Sequence, residues 1–228
     1  SLLAPASLIF YETETSNLND FTQWWRLEKN TNWRSPYGKN SNIKNKGNHP
    51  VVHISWDDAI AYCKWAGKRL PTEAEFEYAS RGGLKNNIYS WGNESINQGR
   101  LKANTWEGKF PSSNKMKDKF YYTAPVKSFE PNGFGFYDLG GNVWEWCSDW
   151  YHSEYYNMIS KDTNQNPKGP KNSYDPMEPY SPKKVMRGGS FLCNDSYCSG
   201  FRNSMRMKST PDSSSMHTGF RTVMDVNP

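Results

Sequence analysis

From Tyr89 onward the chain carries almost no helical or strand period, and this constrains its fold more than any other feature. Gly, Asn, Pro and aromatic residues alternate through Ser90-Trp91-Gly92-Asn93, Pro131-Asn132-Gly133-Phe134-Gly135 and Gly140-Gly141-Asn142-Val143-Trp144-Glu145-Trp146. Such segments cannot satisfy their backbone groups through helices or long strands; they need tight turns, side-chain caps or bound ions. Mean hydropathy is low at −0.93, yet 15% of the residues are aromatic, including 10 Trp and 14 Tyr. A chain so poor in aliphatic residues builds its core from rings. Disordered chains lack that aromatic content, so a folded protein with much irregular, polar surface is expected.

Regular structure is concentrated early. Ser55 caps Trp56–Ala66 with Asp58 closing a capping box, and Gly67 suits the left-handed stop. Ala59, Tyr62, Cys63 and Ala66 share one face of that helix, which makes Cys63 a small core residue. Thr72 with Glu75 forms a second box after Pro71, and Arg81-Gly82-Gly83 ends the second helix. Residues 11–50 read as loop with one short helix around Leu18 to Trp25, and residues 1–10 as a strand leading into the fold. Residues 158–182 read as a surface excursion, Lys184–Arg187 as a short strand, and Thr218–Val223 as a closing strand. The expected fold class is α+β, a single domain over residues 1–228 with two main helices, short antiparallel strands and little other regular structure.

The formal charge is +5, with both signs interspersed and no basic run dense enough for nucleic acid. No stretch reaches the roughly 20 apolar residues of a membrane span. The opening Ser1–Phe10 lacks a basic leader and a long apolar region, so a soluble chain without a targeting segment is expected, of unknown compartment.

The four cysteines are Cys63, Cys147, Cys193 and Cys198, too few for a disulfide-stapled scaffold of this size. Cys193-Asn194-Asp195-Ser196-Tyr197-Cys198 can bring two thiols to one point. Zinc wants four ligands, and the other cysteines are isolated; a thioredoxin-type pair has two intervening residues, not four. A structural disulfide and a pair of thiolates gripping Cu(I), which is soft and accepts two ligands, both remain open on spacing alone.

Val185-Met186-Arg187-Gly188-Gly189-Ser190-Phe191-Leu192-Cys193, Ser196-Tyr197-Cys198, Thr210-Pro211-Asp212-Ser213-Ser214 and Gly219-Phe220-Arg221 together resemble the C-terminal signature of the formylglycine-generating enzyme (sulfatase-modifying factor) family. Upstream, His49–Trp56, Gly67–Glu75 and Gly141–Trp146 match the wider superfamily, so the resemblance spans roughly residues 45–225. It implies an irregular, C-type-lectin-like fold and an oxidase that converts the cysteine of a Cys-x-Pro-x-Arg segment in unfolded sulfatase polypeptide to Cα-formylglycine. It further implies O2 as acceptor, with a thiol or other reductant. Cys193 and Cys198 would bind Cu(I), and one of them would meet the substrate thiol. Ser190 and Trp144 would line the pocket where O2 reacts, beside Tyr197, while Arg202 and Arg206 would lie near the site and bind substrate. The substrate cysteine would lose hydrogen from its β-carbon, and hydrolysis of the thioaldehyde would release the aldehyde.

The resemblance also implies structural Ca2+. One site would use Asn104 and Asp118 with the carbonyls of Thr105 and Phe120, the other Asp138 and Glu145 with the carbonyls of Gly141 and Val143. Hard cations collect such oxygen ligands from irregular loops.

Family members carry a longer N-terminal portion than this chain, so part of the peptide-binding wall is expected to be missing. Cys63 stands where secreted animal relatives form a bridge, facing Thr222 here, and Ser80 and Asn203 occupy a second bridge position. Asn194 stands where some relatives have a histidine. The competing reading is a non-catalytic structural or ligand-binding member of the same fold, which would need neither Cys193 nor Cys198. An iron-dependent sulfoxide synthase would need a histidine cluster, and His49, His53, His152 and His217 are not so arranged.

Overall fold

The computed structural model describes residues 6–15, 17–159 and 165–226. Both expected capping boxes form. In α1 (Trp56–Trp65) the Asp58 amide donates to Ser55 Oγ, and the Ser55 amide donates to the Asp58 carboxylate. In α2 (Glu73–Arg81) Thr72 and Glu75 do the same, and Gly82 ends the helix at φ 57°. Ala59 and Cys63 are buried as expected, but Tyr62 lies at the surface against Trp65 and Phe220.

The short helix expected around Leu18 to Trp25 reduces to one 3-10 turn, Phe21–Gln23, capped by Asp20. The chain then runs extended because β2 (Trp25–Lys29) pairs antiparallel with β1 (Ala6–Phe10), Phe10 opposite Trp25. Burial of Phe10 and Trp24 outweighs local helix preference. Of the N-terminal strand expected from the sequence, residues 1–5 lie outside the described residues.

After α2 come a two-stranded ribbon of β3 (Gly108–Lys109) with β4 (Ser113–Asn114), then β5 (Trp144–Trp150) and a single helical turn, α3 (Tyr155–Ile159). β6 (Lys184–Arg187), β7 (Met207–Ser209) and β8 (Thr218–Gly219) complete a four-stranded sheet of order β7-β6-β5-β8. The β5–β6 and β6–β7 pairs are antiparallel, as the expected short antiparallel strands require, and the two-residue β8 alone departs, lying parallel to β5 with Thr218 opposite Trp144. The closing strand is also shorter than expected. Gly219 packs against the Val51 carbonyl, Arg221 turns to Glu145, and Val223 makes only an isolated bridge to Arg69.

The core is aromatic. Trp24, Trp144, Trp146, Phe191 and Phe201 are all fully buried. Each such ring withdraws roughly 150–250 Å² from water, a gross gain of about 4–6 kcal/mol per residue at ~25 cal/mol/Å². Where relatives would form the second bridge, the Ser80 hydroxyl donates to Asn203 Oδ1 at 2.6 Å in the interior. Residues 165–182 are largely exposed, as the surface-excursion reading requires; residues 160–164 of it lie outside the described residues. Asp175 pins the excursion to the sheet through Lys183 and Lys208. Among the described residues, no helix is long and apolar enough to cross a membrane.

Candidate active site

β5 sets one wall of a cavity of about 700 Å³. Side chains alternate along a strand, so Trp144 and Trp146 line the cavity while Cys147 packs behind the sheet against Phe76 and Val185. Gly188 and Gly189, at φ 94° and 74°, turn the chain out of β6 and bring Ser190 into the same wall. Gly189 and Gly200 touch backbone to backbone, and a Cβ on Gly200 would stand 2.5 Å from the Trp144 ring. The indole is thus seated on bare backbone.

The segment after Ser190 folds back on itself. The Cys193 amide donates to the Ser190 carbonyl and the Cys198 amide to the Asn194 carbonyl, both at 2.9 Å. Asn194 Oδ1 accepts from the Tyr197 amide, and its Nδ2 reaches the Gly108 carbonyl. This loop geometry brings Cys193 and Cys198 together as a disulfide, Cα atoms 4.7 Å apart, with both residues in the cavity wall. Cys193 is 1% exposed. Tyr197 stacks on Phe110 at 4.2 Å, and burial raises its phenol pKa.

The cavity therefore gathers Cys193, Cys198, Ser190, Trp144 and Tyr197, five of the seven residues expected in the reaction site. Arg202 and Arg206, expected near the site and to bind substrate, are not in its lining. Arg202 is exposed. Met205 and Met207 line the cavity, while Arg206 between them points to the opposite side, where it donates to the Glu73 carboxylate at 2.7 and 2.9 Å. Sequence reasoning missed His217, whose Nδ1 lies 3.0 Å from Ser190 Oγ. Burial, with His53 nearby, holds its imidazole down at about 3. It also missed Trp25, Phe110, Trp146, Met186, Met205 and Met207 in the same wall. The only local signal for His217 was a lone histidine two residues before Gly219-Phe220-Arg221.

The donor set fits Cu(I). Two sulfurs converge, three thioethers (Met186, Met205 and Met207) share the wall, and no Asp or Glu lines it. Soft sulfur without carboxylate suits a monovalent soft ion and disfavours hard divalent cations. Among the described residues, no cluster of three or more His, Cys, Asp or Glu could hold a metal, so a four-ligand zinc centre has no counterpart.

The two candidate Ca2+ sets behave differently. In the first, Asn104 Oδ1 and Asp118 Oδ2 are buried acceptors without a hydrogen-bond donor. Burial, with the Glu107 charge adding to it, pushes the Asp118 carboxyl up to about 6. Buried acceptors left unpaired are costly, so Asn104 and Asp118, with Thr105 and Phe120, are the residues that would hold a Ca2+ ion. In the second set, Arg221 holds both Glu145 oxygens, and the Lys127 amide donates to Asp138 Oδ2 at 2.9 Å. With its carboxylates so engaged and Arg221 between them and the Tyr137 and Asp138 carbonyls, this set does not fit a second cation.

A cysteine pair in a loop after Gly-Gly-Ser, set in an aromatic cavity of a mostly irregular fold, defines a class with known relatives. Residues 10–226 match the sulfatase-modifying factor enzyme 1-like domain, and the chain belongs to that family. It is 49% identical over 205 residues to the formylglycine-generating enzyme of Mus musculus, covering 90% of this chain and 52% of that protein. Other formylglycine-generating enzymes, bacterial and mammalian, match at 38–48% identity. It is also 41% identical to the inactive Cα-formylglycine-generating enzyme 2 of Bos taurus, over 87% of this chain and 58% of that protein. The chain thus spans a little over half the length of both. Variable protein 1 of Treponema denticola shares the fold, with a TM-score of 0.59 at 19% identity, over 94% of this chain and 91% of that one.

Proposed function

We propose that this chain is a copper-dependent oxidase that converts the cysteine of a Cys-x-Pro-x-Arg segment in unfolded sulfatase polypeptide to Cα-formylglycine. The carrying observation is the meeting of Cys193 and Cys198 in the wall of a cavity without carboxylates. Per turnover the substrate cysteine loses two hydrogens, a thiol reductant supplies two more, and O2 leaves as two waters. Hydrolysis of the thioaldehyde then consumes one water and releases hydrogen sulfide and the aldehyde. Bound Cu(I) would supply O2 activation, which organic thiols do not provide by themselves.

The protein's own groups have separable roles. Once reduced, Cys193 and Cys198 would hold the metal with two thiolates, and the cavity in whose wall they lie would admit the substrate sulfur. Trp144 and Trp146 form an apolar wall that limits water around the reacting carbon. Ser190 Oγ, 3.9 Å from Cys193 Sγ, sets the polarity beside that sulfur. Tyr197 and Phe110, stacked on each other, add a further aromatic stretch to the wall. A Ca2+ ion on Asn104 and Asp118 would be structural, because Trp106, two residues beyond Asn104, donates its amide to the Cys193 carbonyl at 2.9 Å.

The second reading is a non-catalytic member of the family, favoured by the 41% identity to an inactive relative. Aldehyde formation on a Cys-x-Pro-x-Arg peptide by the copper-loaded, reduced chain decides between them. Turnover abolished by Cys193→Ser and by Cys198→Ser supports the oxidase. A folded, reduced, copper-exposed chain that makes no aldehyde supports the non-catalytic member.

A further inference from the structure

Ser190 is fully buried, yet its hydroxyl faces three polar neighbours. The Leu192 amide donates to Oγ at 3.3 Å, His217 Nδ1 lies at 3.0 Å, and Cys193 Sγ at 3.9 Å. A serine hydroxyl has one hydrogen to donate and two lone pairs to receive with. Leu192 takes one lone pair, which leaves one hydrogen and one lone pair to divide between the imidazole and the sulfur. Which way they divide depends on the histidine, because a neutral ring carries its proton on only one nitrogen.

We infer that His217 is a positioning residue for Cys193: its Nδ1–H donates to Ser190 Oγ, and the Ser190 O–H is thereby turned toward Cys193 Sγ. A disulfide sulfur carries no hydrogen and can only accept, so in this structure the hydrogen between Ser190 and Cys193 must come from Ser190. The chain Nδ1–H, Oγ–H, Sγ is then the arrangement that satisfies all the groups. The ring is well placed to hold that tautomer. It packs against the Trp25 ring at 4.8 Å between centroids, and its backbone carbonyl accepts the Trp144 amide at 2.8 Å. His217 thus ties the Ser190 wall to the Trp144 wall through one residue. Its other nitrogen has no hydrogen-bond partner among the described residues, and the residue lines the cavity. That leaves the unprotonated Nε2 free to accept from water or substrate. Without His217, the Ser190 hydrogen is free to rotate away from the sulfur.

The assignment bears on catalysis only if the oxidase reading holds, so two separable measurements test it. The first is the nitrogen NMR signature of the His217 ring in metal-free protein with Cys193 and Cys198 disulfide-bonded, assigned by comparison with His217→Asn. The Nδ1–H tautomer at neutral pH is expected, with a shift of the ring signals in Ser190→Ala; an Nε2–H ring, or signals indifferent to Ser190→Ala, overturns the inference. The second is steady-state kinetics on a Cys-x-Pro-x-Arg peptide for His217→Asn, His217→Gln and His217→Ala. An Asn amide N–H takes the place of Nδ1–H, whereas Gln places its amide near Nε2. His217→Asn is expected within threefold of the parent, and His217→Gln and His217→Ala about tenfold lower in kcat with KM changed less than twofold, the scale of one hydrogen bond to a charged group. Equal loss in all three variants, or no loss in any, contradicts the role. Absence of aldehyde from the parent chain counts against the oxidase reading alone, and the ring tautomer still decides the hydrogen-bond chain.

Discussion

Replacing Glu73 by alanine is expected to cost about 3–5 kcal/mol of folding stability, the range for removing one partner from a buried ion pair. The carboxylate is 2% exposed and accepts from Arg187 Nη1 at 2.6 Å, Arg206 Nε at 2.7 Å and Arg206 Nη2 at 2.9 Å. Arg187 is itself 1% exposed. Without Glu73 it keeps Glu77 and the Asn203 carbonyl, and Arg206 keeps the His152 carbonyl and the faces of Tyr151 and Tyr156. Arg206 would then have no carboxylate partner, and Arg187 would share the Glu77 carboxylate with Arg81. The surface pair Arg100–Glu130, 3.4 Å apart with both side chains about two-thirds exposed, is the control, because such pairs contribute about 0–1 kcal/mol. For a chain of this size each kcal/mol moves the thermal midpoint by about 2–4 °C, so Glu73→Ala should lower it by roughly 6–20 °C. Urea unfolding should show a lower midpoint with an unchanged slope. A shift no larger than that of Glu130→Ala would refute the claim that this network anchors β6 to α2.

Calcium should raise the thermal midpoint of the parent chain, with about 2.7 kcal/mol expected at a hundredfold excess over Kd; chelation should reverse the gain, and Asp118→Asn should lose most of it. Stability should fall on acidification from about pH 6.5 toward pH 4 through His53, whose buried imidazole is held down at about 4. The unfolded chain takes up that proton first, so the loss through His53 is at most roughly 3 kcal/mol; His217, held lower still, adds to the fall, and His53→Gln should reduce this slope without abolishing it in a pH–stability profile measured by urea titration. Gly200→Ala should cost about 1–3 kcal/mol by overpacking against Trp144, and peptide turnover should fall with it as the indole is displaced; unaltered stability would show that the ring yields freely.

The parts of this protein legible in its sequence were those governed by local chemistry. Ser55 with Asp58, Thr72 with Glu75, and Gly82 each announce a helix end within three or four residues, and all three ends form as read. The cysteine loop was legible because Gly188-Gly189-Ser190 and the five-residue spacing act within one segment. What was not legible depends on partners far along the chain. Trp25 becomes a strand residue because Phe10 lies opposite it, and β8 runs parallel to β5 because of register that no local period encodes. Arg206 was expected at the site, but on entering β7 the chain turns Met205 and Met207 into the cavity and the arginine to Glu73. His217 reaches Ser190 across 27 positions, a pairing visible only after folding. The sequence also could not distinguish the two calcium sets. Asn104 and Asp118 keep open acceptors, whereas Arg221, from the closing segment, takes Glu145.

The most direct test of the central claim is mass spectrometric detection of formylglycine in a Cys-x-Pro-x-Arg peptide, made alongside copper stoichiometry on the same reduced preparation. The account predicts about one copper per chain and aldehyde product from the parent, with both lost in Cys193→Ser and in Cys198→Ser while the thermal midpoint stays near that of the reduced parent. Aldehyde formation that survives either substitution, or a copper-loaded and folded parent that leaves the peptide cysteine unchanged, would contradict it.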